Sequence, residues 1–218
     1  MSQSNDRFDF HPFWDSHSPL STLTGAALII MASSRFAFAL ICAAALIWVY
    51  GFTALIFSGA RSIMPLRGKM VILLFLSAFL CGIFMFLLGL INPLLIMGTS
   101  FFLVLIPPCC LGSGLFEASE DIFPIEFCSR ALLEAGVLAG IILAFALIRE
   151  PLGMGTLSFP GGIQGIWEVF DSWEGDAFIP IRFLSASAGG LLLLGYGIAL
   201  FRHFRDLNAH LSRASGEE

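Results

Sequence analysis

The residues able to do chemistry are few, and most of them sit in apolar surroundings. The four histidines (His11, His17, His203 and His210) lie near the chain ends among polar residues, where a solvated surface accounts for them. There is no phosphate-cradling glycine loop, no zinc-spaced His/Cys set and no nucleophile with a base beside it. Catalysis by the chain alone therefore has no constellation behind it. The five cysteines fall within or beside apolar stretches and show no loop-stapling pattern. Cys42, Cys81 and Cys128 read singly as small buried apolar residues. Cys109 and Cys110 are different, because they follow Pro107-Pro108 and precede the glycine pair Gly112 and Gly114, which leads to Glu117. Prolines free backbone carbonyls, glycines permit close approach, and thiolates are the ligands that soft metals and iron–sulfur clusters select. Adjacent side chains diverge, so one ligand from this pair with others from elsewhere is the better metal reading. A helix end with incidental cysteines is the plain one.

Two further places carry charge where apolar residues dominate. Glu134 lies among Ala131-Leu-Leu and Ala135-Gly-Val-Leu, and a carboxyl at such depth normally faces a partner or a wet path, which makes it an ion-path candidate. Arg130 stands four residues away, and a helical pair between them would satisfy both cheaply. The run Ile148-Arg149-Glu150-Pro151-Leu152-Gly153-Met154-Gly155-Thr156-Leu157 reads as a helix exit with a charged collar. The helix ends at Arg149-Glu150, proline stops it and glycines turn the chain.

The elements that must position these residues belong to a membrane. Of 218 residues, 57% are hydrophobic and only 12% charged, and mean hydropathy is strongly positive. No charged side chain stands between Lys69 and Glu117, and only Arg35 between Pro19 and Ala60. Uncharged apolar runs beyond about 18 residues read as spans. The polar, mixed-charge start lacks the pattern of a cleaved secretory signal, so the apolar segments are expected to be retained. No basic run points to nucleic acid; the bilayer is the expected environment.

Charges, prolines and Gly/Ser clusters divide the apolar sequence into six segments: about Leu20–Ser33, Phe36–Ala60, Met70–Ile91, Leu94–Ile106, Phe127–Ile148 and Phe183–Phe201. Asn92-Pro93 breaks the third from the fourth, Pro107-Pro108 stops the fourth, and a loop covers Arg149 to Ile181. The expected fold is an all-α transmembrane domain over residues 20–205, between polar tails at 1–19 and 206–218. The first and fourth segments are short, and each opens a set of three. That order predicts two inverted three-segment repeats, about 20–91 and 92–205, whose interrupted helices meet near the midplane. With six crossings, Arg7, Arg61, Arg67, Lys69, Arg130, Arg202, Arg205 and Arg213 share one side and Arg35, Arg149 and Arg182 the other, which places both termini in the cytoplasm. The small pairs Gly136-x-x-x-Gly140 and Gly189-Gly190 favour close helix approach or subunit contact.

The exit at Arg149, Glu150, Gly153 and Gly155 closely resembles the R-E-x-x-G-x-G-T-L motif of the Rnf/Nqr membrane subunits, a family shared by the Rnf electron transport complex and the sodium-pumping NADH:quinone reductase. Cys110, Gly114, Glu117 and Ala118 match parts of the family's upstream N-C-x-x-x-G-R-A-E-A motif, and Leu23-Thr-Gly25 with Ser33-Ser-Arg35 stands where the family has L-G and a T-T-K-like turn. The resemblance runs from about Ser21 to Gly161. It implies six helices in two inverted halves and a homologous partner of opposite orientation in a bacterial-type inner membrane. It also implies flavin- and iron–sulfur-carrying partner subunits, and an intramembrane 2Fe–2S cluster to which each of the paired subunits gives one cysteine per half. Cys110, with Cys109 beside it, takes the second-half position, whereas the first-half position falls on Ala27. The function so implied is a membrane subunit of an electron-transport complex that moves sodium ions or protons, not an enzyme alone. The alternative is a cluster-less structural subunit or a small transporter that keeps the fold.

Overall fold

An uncharged chain in hydrocarbon must satisfy its backbone within itself, and helices do so locally. The structure, a computed structural model, describes residues 23–60, 68–112, 124–161, 165–170 and 182–214. Helices dominate: α1 (Leu23–Ala32), α2 (Phe36–Ala60), α3 (Lys69–Ile91), α4 (Pro93–Leu103), α5 (Ile106–Gly112), α6 (Pro124–Met154), α7 (Arg182–Ser185) and α8 (Ser187–Ala214). Among the described residues, four spans are long and apolar enough to cross a membrane: α2, α3, the joined α4–α5 over Pro93–Gly112, and α6. The chain is thus a helical, membrane-embedded protein. One small sheet is added, an antiparallel hairpin of β1 (Leu157–Pro160) and β2 (Ile166–Phe170).

The core is the antiparallel pair α2 and α6, which make the most extensive helix contact in the molecule. Phe57 meets Phe127 at one end (ring centroids 5.4 Å apart), and Phe36 meets Glu150 at the other. Ala131, Ala135, Ala139 and Ala146 are all buried on α6, and this alanine stripe lets the two backbones draw together. Gly136 and Gly140 do not serve that contact, since a Cβ at either would meet nothing within 4 Å. Against this pair pack α3, α4–α5, α1 and α7, and α3 is the least buried of the four spans.

Several boundaries differ from the sequence reading, each for a local reason. Pro107-Pro108 does not stop the fourth segment. The helix breaks earlier, at Val104-Leu105, and the prolines fall in the first turn of α5, where no amide hydrogen is needed. The span therefore reaches 20 residues as a broken helix. The fifth helix does not end at Arg149-Glu150 either. It continues through Pro151 to Met154 and terminates at Gly155, which takes the left-handed φ of 71° and donates to the Pro151 carbonyl at 2.9 Å. The region assigned to a loop after Arg149 holds the hairpin. The last segment opens with the short α7 and a break at Ala186, and its helix runs on to Ala214, through most of the expected C-terminal tail. Asn92-Pro93 does divide α3 from α4: Asn92 Oδ1 accepts from the amides of Leu94 (3.2 Å) and Leu95 (3.3 Å), and Pro93 occupies the first helical position.

Candidate functional site

The charged dipeptide Arg149-Glu150 is buried (2% and 1% exposed), although its sequence has the look of a charged collar at a helix exit. Each half of it goes to a different kind of helix end. A helix leaves its last carbonyls and first amides without partners, with partial negative and positive charge respectively. The Arg149 guanidinium gathers acceptors at helix ends, among them Ala186 O, which also accepts from the Gly190 amide at 3.2 Å. Nη1 donates to Ile30 O (2.6 Å) and Ser33 Oγ (3.1 Å), at the end of α1. Nε donates to Leu184 O (2.9 Å), and Nη2 to Ser185 O and Ala186 O (both 3.0 Å), at the end of α7. Five donors meet five acceptors, the full capacity of a guanidinium. Glu150 turns the other way, and its Oε2 accepts from the Phe36 amide that starts α2, at 2.5 Å. The next amide, Ala37, donates to Ser158 Oγ of β1 at 3.3 Å, and Ser158 is fully buried. One dipeptide thus joins the end of α1, the start of α2 and the α7–α8 break.

Small residues make room for this junction. A Cβ on Gly190 would lie 3.0 Å from Arg149 Cζ, and one on Gly153 would lie 2.9 Å from the Ser185 amide nitrogen. Gly25, also singled out by the motif, is buried in α1. Gly114 and Glu117 lie outside the described residues.

The thiols form a second polar region deeper along the bundle. Cys109 and Cys110 are fully buried on α5, Cys42 is fully buried on α2 and Cys81 nearly so on α3; no disulfide joins any of them. Leu103 is four residues before Pro107, so helical geometry offers its carbonyl no amide hydrogen. The Cys81 thiol donates to that carbonyl at 3.3 Å. The Tyr50 hydroxyl donates to Cys109 Sγ at 3.9 Å, a long contact even for sulfur. Glu134 does not pair with Arg130, whose Nη2 instead holds Glu126 at 2.8 Å on the exposed face of α6. Glu134 is half-buried, with Oε2 inside the protein. Thr53 Oγ1 and Trp48 Nε1, on α2, are buried with no hydrogen-bond partner among the described residues. Sequence reasoning misses the parts played by Tyr50, Cys81, Ser33 and Ser158. The proline four residues after Leu103 is a signal that a donor is needed there, and a tyrosine inside an apolar span is a signal for Tyr50.

A cluster shared with a second chain needs ligands that the second chain can reach. Cys109 and Cys110 face the interior of this bundle, and among the described residues no group of three or more His, Cys, Asp or Glu side chains is placed to hold a metal ion. The chain matches no protein-family model and no curated protein, so the Rnf/Nqr resemblance rests on its motif residues.

Proposed function

We propose that this chain is a membrane subunit of an ion-translocating electron-transport assembly of the Rnf/Nqr type, set beside a homologous subunit of opposite orientation in a bacterial-type inner membrane. One observation carries the reading. Arg149, Glu150 and Gly153, within the stretch that most resembles the family motif, are the residues at which α1, α2, α6 and α7 are tied together, and Gly155 of the same stretch ends α6. The packing of the short α1 against α4 and α5 also suits two halves whose interrupted helices meet inside the protein. Flavin- and iron–sulfur-carrying subunits would supply the electrons, and sodium ions or protons would be moved. Purification of the chain with its native partners tests this: redox subunits and their cofactors should co-purify, and a chain that purifies alone, free of them, would defeat the reading.

The inward-facing thiols favour a second version, in which the chain is a cluster-less structural subunit of such an assembly. Iron content and electron paramagnetic resonance of the purified complex, with and without Cys110→Ala, separate the two. A cluster signal lost in the variant supports ligation by Cys110, and an unchanged signal supports the structural role.

A further inference from the structure

The hairpin has two unlike sets of side chains. Ser158 and Glu168 are cross-strand partners, and both serve the start of α2: Ser158 holds the Ala37 amide, and Glu168 reaches Arg35 at 3.5 Å. The alternate positions pair Phe159 with Trp167 and continue to Val169. Phe159 packs edge-on against Phe36, with ring centroids 5.3 Å apart. Trp167, however, is 64% exposed and Val169 43% exposed. Strands of four and five residues cannot hold such a face in water by themselves, so its surroundings matter.

Those surroundings are the end of an exposed apolar helical surface. Gly165, at the hairpin turn, lies against Asn92, to within 3.3 Å of its Oδ1 for an added Cβ. Asn92 divides α3 from α4, and the residues flanking it, Leu90, Ile91 and Leu94, are all exposed and apolar. The hairpin therefore adjoins an exposed apolar helical surface, and its own apolar residues Trp167 and Val169 are exposed as well. At the same level the half-exposed ion pair of Arg35 and Glu168 marks contact with water or headgroups. An apolar ring with one N–H donor, placed between hydrocarbon and polar groups, meets the preference of tryptophan for the membrane–water boundary.

We propose that the β1–β2 hairpin is an interfacial anchor, with Trp167 and Val169 inserted at the headgroup level of the bilayer. Because Ser158 and Glu168 of the same hairpin grip the start of α2, the anchor sets the depth of the α1–α2 break. A docked protein is the less suited occupant, since the patch is small and merges with the lipid-facing helices. The anchor stands whether or not the chain carries electrons.

The test is fluorescence quenching of the full chain reconstituted in phosphatidylcholine vesicles that contain brominated phosphatidylcholine. Trp14, Trp48 and Trp173 are changed to phenylalanine so that Trp167 alone reports. Bromines near the headgroup end of the acyl chains should quench it at least about twofold more than bromines near the methyl end. If that variant does not fold, the same contrast is read as the quenching component lost on changing Trp167→Phe in the otherwise native chain. Stronger quenching by the deep label would overturn the proposal. So would quenching by aqueous acrylamide with none from either lipid, which places Trp167 in water, or protection from all three, which places it under a protein partner.

Discussion

The two interrupted regions, the junction at Arg149-Glu150 and the α4–α5 break, solve the same problem with different materials. Both must satisfy backbone groups that a broken helix leaves without partners. At the first, charged donors and acceptors meet the helix ends at 2.5 to 3.1 Å, and every guanidinium donor is used. At the second, a thiol serves the proline-freed carbonyl at 3.3 Å, and a phenol reaches a thiol only at 3.9 Å. Charge-assisted bonds are shorter and roughly twice as strong as neutral ones, and sulfur is a weak partner for either role. The Arg149 junction is therefore the more firmly hydrogen-bonded of the two regions, and the bonds described at the α4–α5 break are the weaker ones.

The largest effect that would test this contrast is expected at Arg149. Arg149→Ala leaves buried carbonyls at two helix ends, each costing about 1–3 kcal/mol, so the protein should lose several kcal/mol and much of its abundance in the membrane. Arg149→Lys keeps the charge but not the five-donor fork, and should recover only part of the loss. Thermal unfolding in detergent measures both. If Arg149→Ala unfolds like the native chain, the junction is not the firmer region and the contrast fails. Glu150→Ala comes next: it strips the Phe36 amide of its acceptor and should cost about 1–3 kcal/mol, while Glu150→Gln, which keeps an acceptor oxygen, should cost less. On the other side of the comparison, Cys81→Ala removes the donor to Leu103 O and should cost about 1 kcal/mol, with Cys81→Ser near neutral because a hydroxyl can replace the thiol. A loss at Cys81→Ala as large as that at Arg149→Ala would erase the difference between the regions.

The same contrast explains what is legible in the sequence. The long spans can be read because hydrocarbon punishes every charge: α2 begins and ends at the expected residues, and α3 within one. Asn92-Pro93 can be read because its cap and its proline act on their immediate neighbours. The corrections fall where a distant group overrides a local rule. Pro151 marks a helix end by propensity, yet the helix runs on for another turn, held by Arg149 and Glu150 against residues more than 30 and more than 110 positions away in the chain. The hairpin escapes a sequence reading because its four- and five-residue strands carry no long periodicity, and its stability comes from the start of α2. Of the candidate site, the importance of Arg149-Glu150 is visible as a motif, but its burial is not, since a charged pair beside a proline has the composition of an exposed turn. Cys109 and Cys110 stand out by type; their inward direction depends on the break at Val104-Leu105, one turn earlier than the prolines suggest.

The smallest effect is the sharpest test of how loosely the thiol region is held. Tyr50 is fully buried, and its hydroxyl has Cys109 Sγ at 3.9 Å as its hydrogen-bond acceptor. Burying a hydroxyl without a good partner carries a desolvation cost, and a sulfur at that distance returns little of it. Tyr50→Phe keeps the ring and its packing while removing both the cost and the weak bond. The variant should therefore stay within about 0.5 kcal/mol of the native chain, on either side of zero, in the same unfolding measurement. A loss above about 1 kcal/mol would mean that the phenol holds Cys109 far more firmly than 3.9 Å implies. The α4–α5 break would then be as firmly satisfied as the Arg149 junction, and the contrast between the two regions would fail.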